Sequence, residues 1–117
     1  MSAEAAVRRY YELVDAGDVD GVVGCFADDA VYHRPGYEPM AGRAALTAFY
    51  AGERVIADGQ HELVEMVADG HRVAVHGRFV GTHKDGRAVQ VGFADFWVLD
   101  EQDRAITRRS FFDTPAV

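Results

Sequence analysis

The apolar positions of the chain change rhythm about halfway along. In the first half they recur at helical spacing. Val7, Tyr10, Tyr11 and Val14 fall at i, i+3, i+4 and i+7, which is one face of an amphipathic helix. A first helix is therefore expected over Ser2–Ala16, with Ser2 as its cap, Glu4 favourably placed in the first turn and Gly17 as its stop. Asp18 reads as the cap of a short second helix over Val19–Phe26, ending near Ala27. Asp28-Asp29 breaks it, and a short strand follows over Ala30–Arg34. Pro35, Gly36 and Pro39 make the next stretch irregular. A third helix is expected from about Gly42 to Ala57, burying Leu46, Phe49, Tyr50 and Val55 and stopped by Asp58-Gly59. From Gln60 onward the period is two. Strands are expected over Gln60–Ala68, Arg72–Thr82, Ala88–Leu99 and Arg104–Phe112, separated by Asp69-Gly70, Lys84-Asp85-Gly86 and Asp100–Asp103.

The third of these long strands is the most informative. Val89, Val91, Phe93, Asp95, Trp97 and Leu99 share one face, because side chains alternate along a strand. All but Asp95 are large and apolar. A carboxyl group in such a stripe is costly to bury unless it is paired, hydrogen-bonded or protonated. It is either a structural Asp tied to an Arg or to backbone N–H groups, or a working group at the bottom of a pocket. The element order α-α-β-α-β-β-β-β, with long strands joined by tight turns, predicts an α+β fold. A curved, mixed but mostly antiparallel sheet wraps around three helices as a cone whose open end forms an apolar pocket.

Composition narrows the function classes. One domain spanning residues 1–117, with 49% hydrophobic residues, can support a core. A net charge of −7 without a Lys/Arg run argues against nucleic acid as a partner. No stretch is apolar and long enough to cross a bilayer. The single cysteine, Cys25, suits a reducing cytoplasm and, within the apolar run Val22–Phe26, a core position. His33, His61, His71, His76 and His83 show no metal-ligand spacing, so no metal is expected, nor is any nucleotide motif present. Of the polar residues, His61, Arg78 and Arg108 read as a solvated or interfacial face, and Tyr11 as a core aromatic with its hydroxyl at the surface. Phe96 and Trp97 occupy opposite faces of one strand, which favours a homodimer through the open sheet face.

A Tyr in the first helix, AGDVDG, FADDA, a short strand ending before Pro, GRAALTAFY, GFADFWVLD and RSFFD together resemble a bacterial ketosteroid isomerase. More broadly the chain resembles the nuclear transport factor 2-like superfamily, with its SnoaL-type polyketide cyclases and limonene epoxide hydrolase. The resemblance implies the cone, a dimer and cofactor-independent acid–base chemistry on a hydrophobic small molecule of polyketide, steroid or terpenoid type. It also implies an oxyanion hole of Tyr10 and a protonated Asp95, the arrangement for which ketosteroid isomerase is the standing example. The isomerase's general base falls on Arg34, which cannot accept a proton. Steroid isomerisation is therefore not expected. If Arg34 meets Asp95, the pair resembles the hydrolase's Asp-Arg-Asp set, with Asp113 as the second carboxylate and Tyr32 beside it. Tyr10, Arg34 and Asp95 are thus the catalytic candidates, and Tyr32, Phe49, Trp97, Phe112 and Asp113 the candidate pocket lining. The alternative is a ligand-binding or dimerisation module that kept the cone and lost the base.

Overall fold

In the computed structural model, which describes residues 2–54 and 56–114, β5 (Ala88–Leu99) is the axis of the sheet. It buries Val89, Val91, Phe93, Asp95, Trp97 and Leu99 and turns Gln90 and Phe96 outward. Val55, expected in the third helix, lies outside the described residues. β4 (Arg72–His83) and β6 (Ala105–Phe112) flank β5, both antiparallel to it. β3 (Ile56–Asp69) pairs antiparallel with β4, and β1 (Phe26–His33) runs parallel to β6. A two-residue strand, β2 (Met40–Ala41), completes the six-stranded order β2-β1-β6-β5-β4-β3. The sheet is therefore mixed and mostly antiparallel, as the turn chemistry predicts.

The helices cover its inner face. α1 (Ala3–Asp15) starts where Ser2 Oγ accepts the Ala5 N–H at 3.1 Å, and it buries Val7, Tyr10, Tyr11 and Val14. α2 (Val19–Gly24) starts where Asp18 accepts the Gly21 N–H at 2.9 Å. α3 (Gly42–Ala48) runs into a π-helical turn over Phe49–Glu53, closed by the Arg54 N–H on the Phe49 carbonyl at 2.9 Å.

Two boundaries differ from the sequence reading, each for a tertiary reason. α2 stops at Gly24, and β1 begins at Phe26 because β6 claims that backbone: Phe26 pairs with Ala105, whose N–H reaches the Cys25 carbonyl at 2.8 Å. Arg43 then takes the Phe26 carbonyl through Nη2 at 2.7 Å. The third helix ends early, and Asp58-Gly59 lies inside β3 instead of stopping a helix. The Phe79 ring lies across Gly59 and Gly81, which face each other in the β3–β4 ladder. A Cβ on Gly59 would fall 2.1 Å from Phe79 Cζ. The glycine is there to let a ring pass, which is one of the uses of glycine within a strand.

The outer face of the sheet is partly apolar. Phe96 and Phe111 are 51% and 50% exposed and meet edge to face with centroids 5.9 Å apart.

Candidate functional site

Alternation along β1 puts Tyr32 inward, fully buried, and Arg34 follows on the same side. Arg34 Nη1 donates to Tyr32 Oη at 2.9 Å, and Tyr32 shares a 2.9 Å hydrogen bond with Ser110 Oγ. Ser110 donates to Asp95 Oδ1 at 2.5 Å. With Ser110 committed to the carboxylate, Tyr32 is the donor in the previous link. The row Arg34→Tyr32→Ser110→Asp95 is thus a continuous chain of donors.

Asp95 is 0% exposed and satisfied on every side. Besides Ser110, it accepts from the Tyr11 hydroxyl and from Arg108 Nη2 at 2.8 Å. The β5–β6 register explains the ion pair, since Asp95 faces Ser110 and Trp97 faces Arg108, all on the inner side. Arg108 is 4% exposed and packs over the rings of Tyr10, Tyr32 and Trp97, with its Cζ 4.5 Å from the Tyr32 centroid. Its Nη1 donates to Tyr10 Oη at 2.5 Å and to Tyr50 Oη at 3.1 Å. Burial works against the Arg108 charge, but Asp95 and the surrounding phenols hold its pKa well above the ordinary value. Burial, followed by the neighbouring Asp95, raises the pKa of Tyr11 well above that of a free phenol.

Several expectations are corrected here. The ion partner of Asp95 is Arg108, not Arg34, so Arg108 belongs to the interior and not to a solvated face. The phenol on Asp95 is that of Tyr11, not Tyr10; Tyr10 serves Arg108 and Tyr50. Asp113 is exposed on the outer face, where its Oδ1 accepts the Gly92 N–H at 3.0 Å. It fits there because Gly92 has no Cβ, which would sit 2.7 Å from the carboxylate. Phe49 and Trp97 are buried core residues.

The cone interior holds a cavity of about 20 Å³ lined by Arg34, Arg54, His61, Arg108, Phe93, Phe112 and three further apolar residues, Ile56, Phe79 and Val91. It has room for about one water-sized group. Of the residues expected to form the site, Arg34 and Phe112 line it, while Tyr10, Tyr32, Phe49, Asp95 and Trp97 stand behind the lining. Arg54, Ile56 and Phe79 also form one wall of a cleft of about 380 Å³ between the end of α1, the π-helical turn and the start of β3.

His61 was assigned to a polar face by its sequence context. It lines this cavity, with its ring centroid 4.7 Å from that of Phe79 and 5.4 Å from that of Phe93. Asp15, the last residue of α1, clamps it twice. Oδ1 lies 2.5 Å from His61 Nδ1, and Oδ2 accepts the His61 backbone N–H at 2.9 Å. A carboxylate on Nδ1 assigns the proton to that nitrogen and leaves the lone pair on Nε2. Burial lowers the pKa of His61, and the bond to Asp15 opposes the shift without cancelling it. The imidazole is therefore neutral at neutral pH. The signal in the sequence was the alternation of His61 with Leu63 on β3. Among the described residues, no cluster of three or more His, Cys, Asp or Glu is arranged to hold a metal ion. No helix among them is long and apolar enough to cross a membrane.

Comparison with known proteins matches residues 7–109 to the SnoaL-like domain family model. A nuclear transport factor 2-like protein of unknown function from Burkholderia pseudomallei superposes with a TM-score of 0.86 at 26% identity, covering 97% of this chain and 92% of that one. The epoxide hydrolase/cyclase-like enzyme SalBIII, described for pyran ring formation in the polyether salinomycin, gives 0.85 at 24% identity over 96% and 91%. An LEH-like epoxide hydrolase from M. tuberculosis gives 0.82 at 21% identity over 95% and 82%. The last two likenesses establish a shared fold.

Proposed function

The chain belongs to the SnoaL-like domain family of the nuclear transport factor 2-like superfamily, and from that premise we propose that it is a cofactor-independent acid–base enzyme. Its reaction would be a cyclisation, isomerisation or epoxide opening on a hydrophobic, oxygen-bearing molecule of polyketide, steroid or terpenoid type. One observation carries this reading. His61, neutral and held by Asp15, lines the same cavity as the Arg34 and Arg108 guanidinium groups.

That set supplies what the position of Arg34 removes. A neutral imidazole takes a proton from carbon or from water, and guanidinium groups lining the same cavity stabilise the oxygen on which negative charge develops. Asp15 stabilises the imidazolium that results and fixes the ring orientation. Asp95 is a positioning residue in this scheme. It has no exposed surface, and its carboxylate is spent on Arg108, Tyr11 and Ser110.

The test is turnover of a terpenoid epoxide and of a β-polyketone ester by the wild-type protein, His61→Gln and Asp15→Asn, with folding checked by circular dichroism. Expected is loss of turnover of about 10²–10⁴-fold in His61→Gln, the usual worth of a general base. Wild-type turnover in that variant would remove His61 from the chemistry. Ligand binding with no turnover in any form would favour the binding-module alternative.

The exposed pair Phe96 and Phe111 supports a second element of the reading, a homodimer through the outer face of the sheet. Sedimentation of wild type and Phe111→Glu tests it. A wild-type monomer at micromolar concentration would refute it.

A further inference from the structure

We propose that the cone receives its ligand as an anion, an organic carboxylate whose charged end is held by Arg34 and Arg54 and whose apolar body lies in the adjoining cleft. This deepens the acid–base reading, on which its link to catalysis rests, by naming the class of molecule brought to His61.

The charge around the cavity is unbalanced. Three guanidinium groups, those of Arg34, Arg54 and Arg108, line a cavity whose lining contains no carboxylate among the described residues. Arg108 is neutralised from behind by Asp95. Arg34 has no such partner among the described residues. It is only 9% exposed, its guanidinium makes one hydrogen bond among the described residues, to the neutral phenol of Tyr32, and its Nε is buried without a partner there. The rings of Phe49, Phe112 and Tyr37 surround its Cζ at 5.3, 5.0 and 5.8 Å. Aromatic faces temper a cation but do not replace a counter-ion in a desolvated site. Arg54 likewise has no ion pair among the described residues, and burial lowers its pKa. A chain of net charge −7 that gathers uncompensated cations around one internal cavity has built a receptor for negative charge.

The dimensions say how an acid would sit. At about 20 Å³ the cavity accepts one oxygen but not a whole ligand. The cleft, at about 380 Å³, is of the size that holds a small apolar body, and it meets the cavity across Arg54, Ile56 and Phe79. Its own lining carries the ionisable groups of Asp15, Tyr50, Arg54, Asp58 and Lys84. Asp15 is committed to His61, and Lys84 donates to the Gly52 carbonyl at 2.7 Å. Among the described residues Arg54 is the one cation that faces both spaces, so it is placed to swing onto a carboxylate as the ligand enters. Arg and carboxylate make the planar, two-pronged pairing for which guanidinium is suited.

Calorimetric titration with 2-naphthoate and with the matched neutral 2-naphthamide tests the proposal, using wild type, Arg34→Gln, Arg54→Gln and Asp113→Ala. Wild type is expected to prefer the acid by about tenfold or more, and each Arg variant to reduce that preference to about threefold or less. Asp113→Ala, on the outer face of the sheet, is expected to keep the preference. If Arg34→Gln fails to fold, Arg54→Gln on the cleft wall carries the test. Equal affinity for acid and amide, no naphthoate binding, or an undiminished preference in the folded Arg variants would overturn the proposal. Turnover that survives alongside such a failure would leave the acid–base reading standing without it.

Discussion

Removing the Asp95 side chain tests the centre of the molecule. Asp95→Ala deletes the acceptor of three hydrogen bonds, from Tyr11, Ser110 and Arg108, at a site with no solvent access. Losing the hydroxyl bonds costs about 1 kcal/mol each. The larger part is Arg108, left charged and 4% exposed with no counter-ion, a situation that costs about 3–5 kcal/mol. These contributions overlap, and about 4 kcal/mol is expected in total, a large share of the roughly 5–15 kcal/mol that holds a domain together. Arg108→Met strands the carboxylate instead and should cost a similar amount. The double variant removes both charges and should cost less than the sum of the singles by about 2 kcal/mol or more. Urea unfolding followed by the fluorescence of Trp97, the only tryptophan, gives all of these values. Its ring lies 5.0 Å from the Arg108 Cζ, so the native signal also reports on the network directly. Asp95→Asn, which keeps one acceptor, serves if the alanine variant is unfolded. A cost below about 1.5 kcal/mol for Asp95→Ala, or additivity within about 0.5 kcal/mol, would refute the idea that the pair is an interdependent buried unit.

Other outcomes follow from the same geometry. Gly59→Ala should destabilise the protein by about 1–3 kcal/mol, measured by thermal unfolding, because the new Cβ meets the Phe79 ring. His61 binds a proton less readily in the folded chain than its ordinary pKa of about 6.5. Between that value and its lower folded pKa, the unfolded chain therefore holds more protons, and stability falls on acidification through this window. His61→Gln should flatten that slope in urea titrations run across the range, and catalysis should persist through this window and fall only as pH drops through the lower folded pKa, where the native base becomes protonated. Asp113→Ala loses only an exposed acceptor for the Gly92 N–H. It should cost no more than about 1 kcal/mol and leave naphthoate affinity unchanged, in contrast to Arg34→Gln.

The fold was legible where the local pattern and the tertiary demand agree. The alternation along β5, the apolar face of α1 and the turns at Asp69-Gly70 and Lys84-Asp85-Gly86 need no information from elsewhere in the chain. The boundaries at Phe26 and Gly59 do. One strand start is imposed by β6 and one glycine by a ring on β4, partners that no local window contains. The site divides in the same way. Asp95 stands out because it interrupts an apolar stripe. Arg108 interrupts nothing locally, since Ala105–Phe112 alternates weakly and an arginine there reads as solvated until Asp95 is placed opposite. Tyr10 and Tyr11 share one helix face, and periodicity alone does not tell which hydroxyl reaches the carboxylate. Asp15 and His61 pair across two elements with no common motif. Arg34 stands out through the resemblance, as the residue where a base is expected, but nothing local tells whether it or Arg108 meets Asp95.

The parallel pairing of β1 with β6 also sets an order of assembly. β3, β4, β5 and β6 follow one another through short turns, and each can dock on its predecessor with little loop entropy to overcome. β1 has to wait for a partner from the far end of the chain, aligned as Val31 with Thr107 and Tyr32 with Arg108. Among the strand pairings that contact is the most distant in sequence, the slowest kind to form. Tyr32 and Arg34 come from the early half of the chain, and Arg108 and Ser110 from its last strand. The pocket thus exists only after the sheet has closed. Substitution of Tyr32 by Phe should accordingly speed unfolding in stopped-flow experiments while leaving refolding nearly unchanged, the signature of contacts made after the transition state. A protein built this way does not expose a half-made site while it folds. The chemistry comes into being together with the last strand pairing of the sheet.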